Sequence, residues 1–457
     1  MKADAEAARS MILFPILRKV RSLGSFGANT IFTVAANLTI AAMGMGTGVI
    51  AARLLGAQGR GELAAIQTWP SFIGALAMMG MPEAIIYYSA RDSGAAGEYL
   101  GSGILLAMIA SLPFMPIAYF MMPVLLHAQS PTIIRAARWY LFIVLIYATV
   151  GMLHNPLRGR NDFVPWNILR ICPLLTWIAV LALAWIFGRT TPTFLAGANL
   201  AGLSALLVPS MLIVMRRIPG PFLPDYRKLG SMLRYGIPCV TTKVPQVLNL
   251  RLDQMLMAAI LPPQQLGLYV VAVAWSSASE PLIGAVGAAI LPSVASANKP
   301  QDAARRFGEG ARIASLLAFA TGAALAIATP LGIAVLFGAQ YRASIPAALI
   351  LVPAGAVLGL NYVLQEGLRG LGQPYAVLQA EFAGLAVTVL ALVLMLRPLG
   401  ITGAALSSLP GYSTVTAGLL ANAKRFTGSS PAALLCPRVD EIRLGLRRLG
   451  ILARAPG

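Results

Sequence analysis

Along the 457-residue chain, apolar positions gather into twelve stretches of roughly bilayer-crossing length, joined by short polar connections. They run near residues 28–52, 63–88, 100–122, 138–153, 164–187, 193–215, 235–259, 266–291, 311–336, 345–365, 375–396 and 402–423. A crossing helix needs about 20 predominantly apolar residues. The pattern therefore predicts an all-α polytopic membrane protein with about twelve transmembrane helices. Most of the 31 prolines and 44 glycines sit inside the apolar stretches. That placement argues for membrane helices rather than disorder, because neighbouring helices re-satisfy the backbone groups such residues free.

The twelve stretches divide into two sixes that echo each other. Gly61 and Trp69 recur as Gly267 and Trp275, both 206 positions later, and Leu157-Arg158-Gly159 recurs as Leu368-Arg369-Gly370, 211 later. Duplicated bundles of this kind are common among secondary transporters, with the site near mid-membrane between the repeats. The domain organisation follows. A basic amino-terminal segment (1–27) precedes a six-helix lobe (28–215), an inter-lobe linker (216–234), a second six-helix lobe (235–423) and a basic tail (424–457).

Composition supports the membrane class, with 58% hydrophobic and 11% charged residues and a mean hydropathy of +0.75. The net charge of +19 reads as topology. With the amino terminus in the cytoplasm, 26 of 35 Lys and Arg fall on inner segments and 7 on outer ones: Arg53, Arg60, Arg135, Arg138, Arg189, Arg342 and Arg397. Both termini are then cytoplasmic by the positive-inside rule. Dispersed over short loops and without a recognition motif, these bases do not point to nucleic acid as a partner. In the tail, Ile442, Leu446 and Leu449 with Arg443, Arg447 and Arg448 predict a basic amphipathic helix on the inner leaflet. The segment around Arg18, Lys19 and Arg21 is expected to behave similarly. The apolar run 11–17 is too short, and is broken by Pro15, for a cleavable signal.

Candidate chemistry concentrates in the seventh stretch, which carries Lys243, Gln246, Asn249, Arg251, Asp253 and Gln254 between and beyond Pro238 and Pro245. At about 100° per residue, Lys243, Gln246, Asn249 and Asp253 share about a third of the helix circumference, while Arg251 points elsewhere. Ionisable groups at this depth cost several kcal/mol and face a partner or a wet cavity. We read this face as cavity lining. The alternative is an internal tether, although Lys243 and Asp253 are about 15 Å apart along a straight helix. The prolines predict a kink and hence a moving part. Glu381 has no partner on its own helix; pairing with Asp253 or Lys243 across the bundle, or binding a cation, are its open roles. Glu83, Glu280 and Glu366 are further intramembrane acids, and Arg53 ends the first stretch, either snorkelling or lining the cavity. Cys172, Cys239, Cys436, His127 and His154 are too scattered for a zinc or redox site. There is no GxxxxGK[ST] loop and no Ser-His-Asp set. No enzyme activity, cofactor or metal is therefore expected; coupling to Na⁺ or H⁺ stays open.

Four segments resemble a known family: ARLLGAQGRGELAAIQTW (52–69), GMPEAIIYYSAR (80–91), LRGRNDFVPWNILR (157–170) and YGIPCVTTKVPQVLNLRLDQMLMAAILPPQQLGLY (235–269). Over residues 25–425 the chain is similar to the polysaccharide and O-antigen flippases of the multidrug/oligosaccharidyl-lipid/polysaccharide exporter superfamily. The resemblance implies a V-shaped, alternating-access bundle like that of the MATE exporters, in the bacterial inner membrane. It implies a lipid-linked oligosaccharide, carried on a polyprenyl pyrophosphate, turned to the outer leaflet for O-antigen, lipopolysaccharide or exopolysaccharide assembly. Membrane lipids and polysaccharide polymerase or assembly proteins are the implied partners, and a monomer is expected. On the matching positions, Arg53, Lys243 and Arg251 would be the cationic contacts, with Asn249, Asp253 and Gln254 as polar neighbours. Asp253 and Glu381 are the candidate coupling groups or ion pair, Glu381 being carried over by span position alone. A cation-coupled multidrug exporter and a lipid II flippase are the competing readings, and a non-transporting assembly scaffold lies outside both. Exporters place an acid in the first span, which this chain lacks, and lipid II flippases carry two further spans.

Overall fold

The structure, a computed structural model, describes residues 25–436. The expected tail helix at 442–449 and the basic segment around Arg18 lie outside the described residues.

Helices α1 (25–55), α2 (57–91), α3 (Ala96–Leu125), α4 (Pro131–Gly159), α5 (Phe163–Ile186) and α6 (Pro192–Arg217) form the first lobe. The second comprises α7 (Tyr226–Ile260), α8 (Pro263–Ala295), α9 (Pro300–Phe337), α10 (Ile345–Gly370), α11 (374–399) and α12 (401–427). Length and hydropathy alone mark nine helical stretches able to cross a membrane among the described residues. Two of these double back, and α7, with six charged residues, is too polar to be counted, which brings the bundle to twelve. The reversals occur at Gly56 (φ 67°) and Gly400 (φ 55°), conformations open to glycine and strained for residues with a Cβ. Asn37 before Gly56 and Glu83 after it both reach the inner half of α7, beside Gln246 and Lys243, so the chain returns on itself.

Boundaries move in two places. The turn at Gly56 is a single residue, so Arg60, expected in an outer loop, lies in the first turn of α2. Residues 226–234, expected as linker, extend α7 toward the inner end, which we define as the end carrying the inter-lobe segment.

The duplication is visible as contact. A Cβ on Gly61 would lie 1.7 Å from the Pro263 carbonyl oxygen, and one on Gly267 1.8 Å from that of Ala57. These repeat-related glycines let α2 and α8 meet backbone to backbone across the lobe boundary at the outer end. At the inner end the Leu-Arg-Gly copies do equivalent work. Gly159 seats α4 on the Ile86 carbonyl of α2, and Gly370 seats α10 on Leu291 and Val294 of α8.

Three apolar cores explain the shape. One cluster spans both lobes in their outer halves, uniting Leu63 and Ile66 with Tyr269, Phe337 and Tyr341. The inner halves have separate cores, Met81, Ile85, Leu100 and Met152 in one lobe and Ile283, Phe307, Leu364 and Leu419 in the other. A shared core above and divided cores below make a V that is welded outside and split inside.

Candidate functional site

The split leaves connected cavities along the lobe boundary. The largest, about 690 Å³, lies between α2 and α4 on one side and α7 and α8 on the other. Arg60, Gln67, Thr68, Tyr140 and Tyr147 face Arg251, Gln254, Ser277 and Glu280 across it. Among the described residues neither arginine has a carboxylate within 4 Å. A second cavity of about 310 Å³ runs from Asn37 of α1 into the second lobe, reaching Asn249, Asn361, Gln365, Glu381 and Tyr412. Glu280 borders both, and also a third of about 170 Å³ that reaches Asp253.

Side chains within the second lobe hold this lining in place. Glu381 accepts from Asn249 Nδ2 at 2.7 Å and from Gln365 Nε2 at 2.6 Å, while Gln246 Nε2 donates to Gln365 at 3.4 Å. The Tyr412 hydroxyl donates to the Asn249 carbonyl at 3.3 Å, and Asn249 Oδ1 has no protein donor among the described residues. Such amides and hydroxyls both donate and accept, which suits polyhydroxylated ligands.

Residues 26–297, more than half of the chain, match the family described as polysaccharide biosynthesis protein. The chain belongs to that family. Among solved structures it is similar to the lipid II flippase MurJ in an inward closed conformation, at 15% identity over 93% of this chain and 94% of that one, with a TM-score of 0.72. It is also similar to an inward-facing multidrug resistance MATE family transporter of the MOP superfamily, at 16% identity over 86% and 98% of the two chains, with a TM-score of 0.70. These likenesses establish the fold. No curated protein matches by sequence.

In this member of the polysaccharide biosynthesis family the sequence-derived residues take different stations. Arg251 and Gln254 line the largest cavity, and Asn249 the second. Arg251, placed off the polar face by the helical count, is thus directed at the lobe boundary. Arg53 lines none of these cavities. Its Nε donates to the Leu336 carbonyl at 2.6 Å and its Nη2 to that of Val335, tying the outer end of α1 to the terminal π-turn of α9. Asp253 is turned into the second lobe, where it accepts from the Tyr269 hydroxyl at 2.5 Å and the Gln254 backbone N–H at 2.7 Å. Glu381 pairs with neither Asp253 nor Lys243 but with the two amides above.

Lys243 forms an ion pair with Glu83 of the other lobe, beside a separate cavity of about 130 Å³. Its side chain is 57% exposed, where such pairs contribute about 0.2–1 kcal/mol. Lys243→Glu or Glu83→Lys alone should therefore slow transport less than about tenfold, and the charge-swapped double variant should recover it; a double variant as slow as the singles would break the assignment.

Asp253→Asn should keep substrate affinity and lower the melting temperature in detergent. A buried polar group that loses its partner costs about 1–3 kcal/mol, and here the Tyr269 hydroxyl meets a weaker acceptor. Unchanged melting together with lost binding would instead make Asp253 a ligand contact.

Arg60, Gln67, Tyr140 and Tyr147 were not singled out by sequence. The repeat held a usable signal: Gly267 lies inside the eighth apolar stretch, so Gly61 and its neighbour Arg60 belong in a helix as well.

Proposed function

We propose that this protein carries a polyprenyl-diphosphate-linked oligosaccharide from the inner to the outer leaflet of the bacterial inner membrane, for O-antigen or exopolysaccharide assembly. In this reading both termini are cytoplasmic and the split end of the V faces the cytoplasm. The chain acts as a transporter and carries out no bond chemistry. The observation that carries the proposal is the cavity of about 690 Å³ in which Arg60 and Arg251, on opposite lobes, face each other with no carboxylate within 4 Å of either among the described residues.

The physics of the cargo fits. Each sugar hydroxyl taken from water without a partner costs roughly 2–7 kcal/mol, so an oligosaccharide does not cross lipid unaided. Gln67, Thr68, Gln254, Ser277 and the two tyrosines supply replacement hydrogen bonds. A diphosphate needs cations, and guanidinium groups match its geometry with paired donors. The polyprenyl tail stays in lipid. Outward movement of its negative charge is favoured by an inside-negative potential by about 2.3 kcal/mol per charge per 100 mV.

Glu280 and Glu381 on the second cavity favour one alternative, a cation-coupled drug exporter. Vesicles containing only this protein separate the two. Flipping of a fluorescent polyprenyl-diphosphoryl oligosaccharide supports the proposal; no flipping, with drug efflux driven by a sodium or proton gradient, overturns it.

A further inference from the structure

The duplicated Leu-Arg-Gly motif has a charge consequence at the inner end of the cleft. Arg158, from the first copy, places its guanidinium 5.3 Å from the ring centre of Trp166, and Arg170 stands 4.4 Å from the same ring. Both cations therefore sit against one indole. Among the described residues neither has a carboxylate within 4 Å, although Asp162, Glu98, Glu83 and Glu366 pair with Arg217, Lys228, Lys243 and Arg369. Gathering like charges around one buried indole is unfavourable until an anion joins them.

The cluster is aimed at the substrate path. Arg170 donates to Asn167 Oδ1 at 3.1 Å and to Asn37 Oδ1 at 3.0 Å, and Asn37 lines the 310 Å³ cavity. Tyr362 of α10, on the facing wall of that cavity, lies two turns before Arg369 on the same helix, so each lobe carries its motif copy on a helix near this cavity or its neighbour. Arg369 is neutralised by Glu366 at 2.5 Å, whereas its repeat counterpart Arg158 has no carboxylate within 4 Å among the described residues. Contact with Trp166 holds both guanidinium groups, and two amide acceptors further fix that of Arg170, which reduces the ordering lost on binding.

We propose that Arg158 and Arg170, held on Trp166, form a loading site for the diphosphate of the lipid-linked substrate at the inner mouth, ahead of the Arg60–Arg251 chamber. This rests on the flippase reading and adds a first station to it. The diphosphate is bound while the glycan is still outside the central cavity, and is handed on as the lobes close behind it.

The test is equilibrium binding of farnesyl diphosphate to the full-length protein in phosphatidylcholine nanodiscs, with farnesol as the uncharged probe. Arg158→Ala with Arg170→Ala should weaken farnesyl diphosphate at least tenfold and leave farnesol unchanged, and inorganic pyrophosphate should displace the charged probe from the unmodified protein. Wild-type affinity in the double variant overturns the proposal. So do an equal loss for farnesol, a failure of pyrophosphate to compete, and a loss confined to phosphatidylglycerol added to the discs. If the alanine variant fails to reach the membrane, Arg158→Gln and Arg170→Gln keep most of the side-chain volume and face the same criteria. Flipping measured in parallel separates the two claims. Flipping by the unmodified protein with undiminished probe binding in the double variant sinks only the loading site, whereas absent flipping by the unmodified protein with diphosphate binding lost in the double variant sinks only the flippase reading.

Discussion

Gly61→Val should abolish glycolipid transport while the protein still reaches the membrane folded. The atom the substitution adds first, Cβ, would stand 1.7 Å from the Pro263 carbonyl oxygen, and Gly267 meets Ala57 in the same way. Both obstacles are backbone in helices, so neither can swing aside as a long side chain would. Overpacking of this kind costs typically about 1–3 kcal/mol, occasionally more. The contact exists where the outer ends of the lobes are joined, so the penalty falls on the outer-closed state alone. About 3 kcal/mol on one of two states shifts their ratio by roughly 150-fold. A cysteine placed at Gln67 in a background without Cys172, Cys239 and Cys436 should then be labelled faster by an impermeant reagent from the outer face. Unchanged labelling with full transport would refute the glycine contact as the outer seal.

Removing both chamber cations, Arg60→Ala with Arg251→Ala, should lower flipping at least about 100-fold with little change in melting temperature. Hydrogen bonds to charged groups contribute about 1.5–3 kcal/mol each, and a diphosphate engages both guanidinium groups. Neither arginine has an ion-pair partner among the described residues to be orphaned by the change, so the loss should appear in transport rather than stability. Arg53→Ala is the informative contrast. It removes the tether from α1 to the Val335 and Leu336 carbonyls, and should alter the closing of the lobes while substrate affinity stays within about threefold. Flipping equal to wild type in the double variant, from matched amounts of folded protein, would show that the anion is held elsewhere.

The twelve crossings were legible because their signal is length, and the lobes because the repeat markers keep their order. The core of α7, residues 235–259, was recognised despite Lys243, Arg251 and Asp253 since polar groups flanked by apolar turns still span a bilayer, whereas its first turns with Arg227, Lys228 and Arg234 read as linker. What each polar group touches was not legible. A helical count places Lys243 and Asp253 on one arc, but the arc is cut by lobe geometry: Lys243 reaches Glu83 in the first lobe and Asp253 reaches Tyr269 in the second. Arg60 was misplaced for a different reason. A stretch of Gln58, Gly59, Arg60, Gly61 and Glu62 has the composition of a loop, and only the close approach at Gly61 shows why helical backbone there contains glycine. Nor did hydrophobicity foretell one joint core outside and two inside, because lipid-facing and core-facing positions are equally apolar and a helix buried on all sides carries no stripe.

α7 belongs to neither lobe entirely. Its inner end is bound to the first lobe through Lys228 on Glu98, Lys243 on Glu83, Tyr235 stacked on Tyr87 at 4.3 Å, and Met232 within that lobe's core. Beyond Pro245 it is fastened to the second lobe through Asn249 on Glu381 and Asp253 with Tyr269. The helix is therefore a leaf spring bolted to both jaws, with Pro238 and Pro245 as its thinned section. In the proposed transport cycle every excursion of the jaws would flex those two turns, so their stiffness would set how wide the mouth gapes and how large a glycan it admits.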